Sequence, residues 1–159
     1  MSNSLPQRKS PRLPGYDYAS GEAYFVTICE HQRKSILGAV IDAMCHLSKL
    51  GQIAHDDLAS IPFHYQQIDV PIWIVMPNHI HAIIAIEEIA DPPTLGVIVG
   101  SYKSGVTRKA RQMLADIPDR LWQTSYHDHI IRNAESYRKI YTHIEQNPAR
   151  WQQDTFFAR

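Results

Sequence analysis

The clearest chemistry in the chain sits in five residues, Pro77-Asn78-His79-Ile80-His81. On a strand, His79 and His81 at i and i+2 point to one face, roughly 6.5–7 Å apart at Cα. Two imidazoles at that separation can converge on one metal ion. Ile80 between them faces a core, and the AIIAI that follows anchors the pair on a rigid strand. The competing reading is two surface histidines that alternate by chance, because the chain contains nine histidines. Imidazole ligands favour zinc or another transition metal over magnesium. With only two protein ligands, positions stay open for substrate oxygens, as metal catalysis requires. A metal hydrolase acting on a small substrate is one activity of that kind. A Cys/His zinc site is poorly supported, since neither Cys29 nor Cys45 lies near a second ligand at finger-like spacing. Both read as reduced thiols of a cytosolic protein. A three-histidine alternation also fails, because the next alternate position is Ile83.

The elements that must position this pair are legible in outline. The 159 residues suffice for one domain, and 44% hydrophobic with 20% charged residues describes a globular chain rather than a disordered one. Residues 1–20 read as an irregular, basic leader, and YFVTIC from Tyr24 to Cys29 as a strand. Gly38 to Leu47 suggests a short hairpin. A helix is predicted over Ser48–Ser60, with Ser48 as its N-cap and a break before Pro62. IDVPIWIVM and HIHAIIAI, joined through Pro77-Asn78, read as paired strands. The stretch after Pro93 opens with β-branched residues and continues as a helix with an exposed basic face. Leu121 to Ile131 reads as a short strand or an irregular segment. Asn133 caps a last helix that Pro148 ends. Interleaved strands and helices around an antiparallel pair indicate an α+β fold.

Charge and hydropathy narrow the partners. Sixteen basic residues balance sixteen acidic ones, yet Arg8, Lys9 and Arg12 form an acid-free arm. Lys103, Arg108, Lys109 and Arg111 likewise crowd into nine residues without an acid. Clusters of this kind contact phosphates and give salt-dependent affinity. The most apolar stretch, Ile68 to Ile86, carries Asp69, Pro71, Pro77, Asn78 and the two histidines, so it cannot span a bilayer. No apolar segment follows the basic N-terminus as an export signal would require. The expected setting is the cytoplasm, with no membrane partner.

RLPGYDY with AYFVTIC, VMPNHIHAII, SYKSGVTRKAR, LWQ with HDHIIR, and IEQNPARW occur in this order along Arg12 to Trp151. As an ordered set they resemble the REP-associated tyrosine transposases, single-tyrosine HUH transposases that act on single-stranded DNA. The resemblance implies a ferredoxin-like α+β domain over residues 21–151, followed by a tail at 152–159. It implies His79 and His81 as metal ligands and magnesium or manganese as the cofactor. It also implies Asn147 as the third ligand, one helical turn from the nucleophile. The DNA would be hairpin-forming and repetitive, the protein nucleoid-associated, and a homodimer is compatible with the family. Members carry Tyr-x-x-x-Asn-Pro in the last helix; here His143 stands at the tyrosine position. Three readings follow: His143 substitutes as the attacking group, Tyr141 takes over, or cleavage is weakened and a hairpin-binding protein remains. Tyr141 is turned about 200° from His143 on a helix, and Tyr137 and Tyr126 are more distant candidates. Tyr16, Tyr18 and Trp122 are candidate stacking platforms for unpaired bases, although Trp122 and Trp151 also suit a core.

Overall fold

Strand β1 (Gly21–Cys29) and strand β5 (His79–Glu87) form the centre of a four-stranded antiparallel sheet. Strand β4 (Ile68–Met76) flanks β5 and strand β6 (His127–Ile131) flanks β1, giving the order β4-β5-β1-β6. The computed structural model describes residues 21–157. The leader, with Arg8, Lys9, Arg12, Tyr16 and Tyr18, lies outside the described residues. A small hairpin, β2 (Gly38–Ile41) and β3 (Met44–Leu47), is closed by Asp42 and Ala43 at positive φ. It precedes helix α1 (Lys49–Ala59) and the short helix α2 (Ile61–His64). Helix α3 (Leu95–Met113) crosses between β5 and β6, and helix α4 (Ala134–Glu145) follows β6. Apart from the hairpin, α2 and α4, the βαββαβ path with its central β5 and β1 is the ferredoxin-like arrangement. The chain is a single α+β domain.

Two cores, one on each sheet face, fix this geometry. Ile28, Ile80, Ala82 and Ile84 pack against Ala54 and Leu58 of α1 and Ile98, Tyr102 and Val106 of α3. On the other face Ala23, Ile83, Ala85 and Ile131 meet Tyr137 and Ile144 of α4. Strand β5 is buried from His79 through Ile86, which is why it reads as a nearly continuous apolar run. Each such Ile or Leu contributes about 1.5–3 kcal/mol relative to an exposed one.

The caps are where the sequence places them. Ser48 Oγ accepts from Gly51 N at 3.0 Å, and Asn133 Oδ1 accepts from Ser136 N at 2.8 Å. The β-branched start after Pro93 is fully helical, because Thr94 caps it and Leu95, Ile98, Val99 and Tyr102 form one buried stripe. Tertiary burial outweighs β-propensity here. The region Leu121 to Ile131 yields β6, after an isolated bridge between Glu30 and Trp122. Beyond α4 the chain continues as a 3-10 helix, Pro148–Gln153, with Trp151 buried. Among the described residues no helix is long and apolar enough to cross a membrane.

Candidate metal centre

The two-residue turn Pro77-Asn78 delivers His79 onto the first position of β5, with His81 on the same face. His79 is 0% exposed and His81 4%, and the two ring centroids lie 4.6 Å apart. Backbone pairing sets Cys29 opposite His79 and Thr27 opposite His81. His81 Nδ1 lies 2.9 Å from Thr27 Oγ1, which leaves its Nε2 for another partner. His79 Nδ1 lies 2.8 Å from Asn78 Oδ1. An amide oxygen only accepts, so His79 Nδ1 carries the proton and Nε2 the lone pair. Asn78 itself is fixed, because its Nδ2 donates to the carbonyls of Arg33 and Phe156. A neighbour that holds one ring nitrogen and frees the other is what a metal-ligating histidine requires.

Two further groups approach the His79 ring. The buried Asn147 amide interacts with the His79 ring from just beyond α4, one turn after His143. Asp154 arrives from beyond the 3-10 helix with Oδ2 3.6 Å from His79 Nε2, too far for a hydrogen bond. The other Asp154 oxygen accepts from Phe156 N at 2.8 Å, which holds the carboxylate in place. His79 Nε2, Asn147 Oδ1 and Asp154 Oδ2 are all buried without a hydrogen-bond partner. A lone-pair nitrogen, an amide oxygen and a carboxylate oxygen are all acceptors, so they cannot satisfy one another. A divalent cation satisfies acceptors of this kind, and the ligand atoms of His79, His81 and Asp154 lie within 4.8 Å of one another. The His-His-Asp cluster is therefore suited to a metal ion.

Electrostatics agree with a cation site. Burial pushes the His79 pKa down to about 4, against the opposing pull of the Asp154 carboxylate. His81 is held well below its usual value, first by burial and then by His79 and His143. Both rings are thus neutral near pH 7, the state that ligates. Above the pair lies Phe156, whose ring centroid is 4.6 Å from that of His79 and 6.3 Å from that of His81. Arg33 lies over the same ring, its Cζ 4.8 Å from the centroid.

Asp154 was invisible to sequence reasoning, which left it in a tail beginning at residue 152. The available signal was the run of aromatics around it, Trp151, Phe156 and Phe157, too apolar for a solvated tail. His143 reaches the edge of the site, its ring centroid 5.6 Å from His81 and 6.0 Å from Phe25. Tyr141 is directed elsewhere: it stacks on buried Tyr137 at 6.2 Å and packs in the apolar core under α4. Tyr126 sits beside the Lys103 ammonium, 5.8 Å from its Nζ.

The basic residues of α3 lie on the opposite sheet face from the histidine pair. Lys103, Arg108 and Arg111 line an open groove of about 520 Å³ together with Ser104, Thr107 and Trp122. Within it Lys103 Nζ donates to the carbonyls of Gln123 and Ser125, and Arg111 Nη2 to that of Asp119. Lys109 is instead paired with Asp57. Of the two readings of Trp122, stacking platform or core residue, the structure bears out the core. Trp122 is 7% exposed and belongs to the core near Tyr102, because its bridge to Glu30 draws it against β1.

No protein-family model matches the chain. It is 34% identical to an uncharacterized protein of Haemophilus influenzae over 173 aligned positions, covering 97% of this chain and 95% of that one. Among solved structures it is similar to a REP-associated tyrosine transposase bound to a REP hairpin. The TM-score is 0.62 at 20% identity, over 85% of this chain and 71% of that one. A protein of Deinococcus radiodurans provisionally named a transposase gives a TM-score of 0.55 at 18% identity, over 82% and 92% of the two chains. The chain thus belongs to one family with the Haemophilus influenzae protein, and its fold is that of the REP-associated tyrosine transposases.

Proposed function

We propose that this protein is a metal-dependent endonuclease and strand transferase acting on hairpin-forming single-stranded DNA, a transposase-type activity. The observation that carries the reading is the buried cluster of His79, His81 and Asp154, whose ligand atoms lie within 4.8 Å of one another and in which His79 Nε2 and Asp154 Oδ2 have no hydrogen-bond partner. His79, His81, Asn147 and Asp154 would hold the cation, with manganese or magnesium as the expected metals. When bound, that cation supplies charge neutralisation at a phosphodiester. The remaining work belongs to the chain. The Asn78 and Thr27 contacts orient the rings, and the α3 groove supplies Lys103, Arg108 and Arg111 for the phosphates of a DNA hairpin.

His143 stands where the attacking group belongs. A lone-pair nitrogen of its imidazole would form a nitrogen–phosphorus bond as the bond from phosphorus to the 3′ oxygen breaks. The proton lost from the other ring nitrogen balances the one gained by the departing 3′ hydroxyl. The linkage retains enough free energy for a 3′ hydroxyl to reverse it, which is the basis of strand transfer. A second reading, hairpin binding without cleavage, is favoured by Phe156, which covers the His79 ring, and by the stacking of Tyr141 away from the site.

The test is incubation of a labelled DNA hairpin bearing single-stranded flanks with the protein and Mn²⁺. Mass spectrometry then locates the attached nucleotide under conditions that preserve phosphoramidates. A covalent adduct on His143, lost in His143→Ala, is the expected result. Salt-sensitive binding with no adduct in Mn²⁺ or Mg²⁺ would overturn the enzymatic reading in favour of the binding one.

A further inference from the structure

The exposed side of α4 and of the 3-10 helix after it carries a second cationic groove, the α4 groove, that the sequence did not reveal. Arg138 and Thr142 of α4, Gln146 at its C-cap and Arg150 of the 3-10 helix that follows share one surface. Together with Lys139 and His143 they line an open depression of about 390 Å³ with no carboxylate in its wall. Lys139 makes an exposed i,i+4 pair with Glu135, an interaction of little energetic consequence. Arg138 and Arg150 have no ion-pair partner among the described residues. Their charges are therefore available to an incoming anion, and Thr142 and Gln146 add neutral hydrogen-bonding groups between them.

The position of the groove gives it meaning. Its inner wall is His143, and the His143 ring continues to His81 and Phe25 at the edge of the metal centre. The α3 groove, on the other sheet face, is a separate surface. A polyanion lying in the depression that holds both arginines would run past His143.

We infer that the α4 groove binds the phosphate backbone of the single-stranded DNA flank beside the cleavage site, distinct from the surface that holds the hairpin. The inference rests on the DNA-acting reading above, and binding without metal separates the two. Three probes suffice: a blunt DNA hairpin, and the same hairpin with an oligothymidine flank at its 5′ or its 3′ end. Affinity is measured in chelator across a salt series, for the full chain and for the Arg138→Gln/Arg150→Gln variant. Circular dichroism checks that the variant is folded.

One flanked hairpin should bind the unaltered protein at least about tenfold more tightly than the blunt one. In the variant that increment should vanish. Its salt slope on the flanked probe should fall by about 1.4, or about 0.7 for each lost phosphate contact on a single strand. Affinity for the blunt hairpin should stay unchanged. Tight blunt-hairpin binding with no flank increment, or an increment that survives both substitutions, overturns this inference and leaves the DNA reading standing. Failure of the unaltered protein to bind any of the probes overturns both.

Discussion

Asp154 carries more of the candidate site than any residue the sequence singled out. It places a full negative charge beside two neutral imidazoles, one carboxylate oxygen tethered by Phe156 N and the other buried without a partner. A cation gains from that charge in a pocket where water cannot compete. Asp154→Asn keeps the shape and removes the charge. The variant should bind Mn²⁺ at least about tenfold more weakly, or about 1.4 kcal/mol, by calorimetric titration. Unchanged affinity would remove Asp154 from the ligand set. The tautomer of His79 is set just as locally: Asn78, locked by the carbonyls of Arg33 and Phe156, determines which nitrogen of His79 is available.

At the level of elements, α1 illustrates how packing overrides propensity. Gly51 lies in its first turn, where alanine would favour the helix by roughly 1 kcal/mol. A Cβ at that position would sit 1.9 Å from the Leu37 carbonyl oxygen, which also accepts from Ser48 N at 3.0 Å. The clash is with backbone, so no side chain can rotate out of the way. Gly51→Ala should therefore destabilise the protein by about 1–3 kcal/mol, seen as a lower urea midpoint. A midpoint equal to or above that of the unaltered chain would show that the approach of Leu37 relaxes freely. The contact matters to the site because the loop entering β2 also accepts from Ser48 Oγ through Ile36 and donates to Pro77 O through Leu37 N. Pro77 is the residue from which the turn to His79 begins.

For the molecule as a whole, the buried histidine pair ties global stability to pH. The folded-state values of His79, about 4, and of His81 both lie below the ordinary unfolded value of about 6.5. Between those limits the unfolded chain binds the additional protons, so acid favours unfolding. The contribution of the pair is complete above about pH 6.5 and is lost as the pH falls toward 4. Each histidine accounts for up to about 1.4 kcal/mol per pH unit. Urea midpoints of the chelator-treated protein should decline across that window. A flat profile would mean that the rings are charged or solvated when the protein is folded.

Local rules made much of this molecule legible. The alternation of His79 and His81 about Ile80, the Ser48 and Asn133 caps, and the spacing of His143 to Asn147 all act within one or two turns of chain. They depend on backbone period and on hydrogen bonds between near neighbours, so sequence alone determined them. Where Asp154 goes depends on the 3-10 helix from Pro148 and on aromatic packing of Trp151 and Phe156 against His79. The burial of Trp122 and the pairing of Lys109 with Asp57 likewise join residues far apart in the chain. Such contacts have no periodic signature, and only the tertiary fold, by deciding which surfaces are excluded from water together, could assign them.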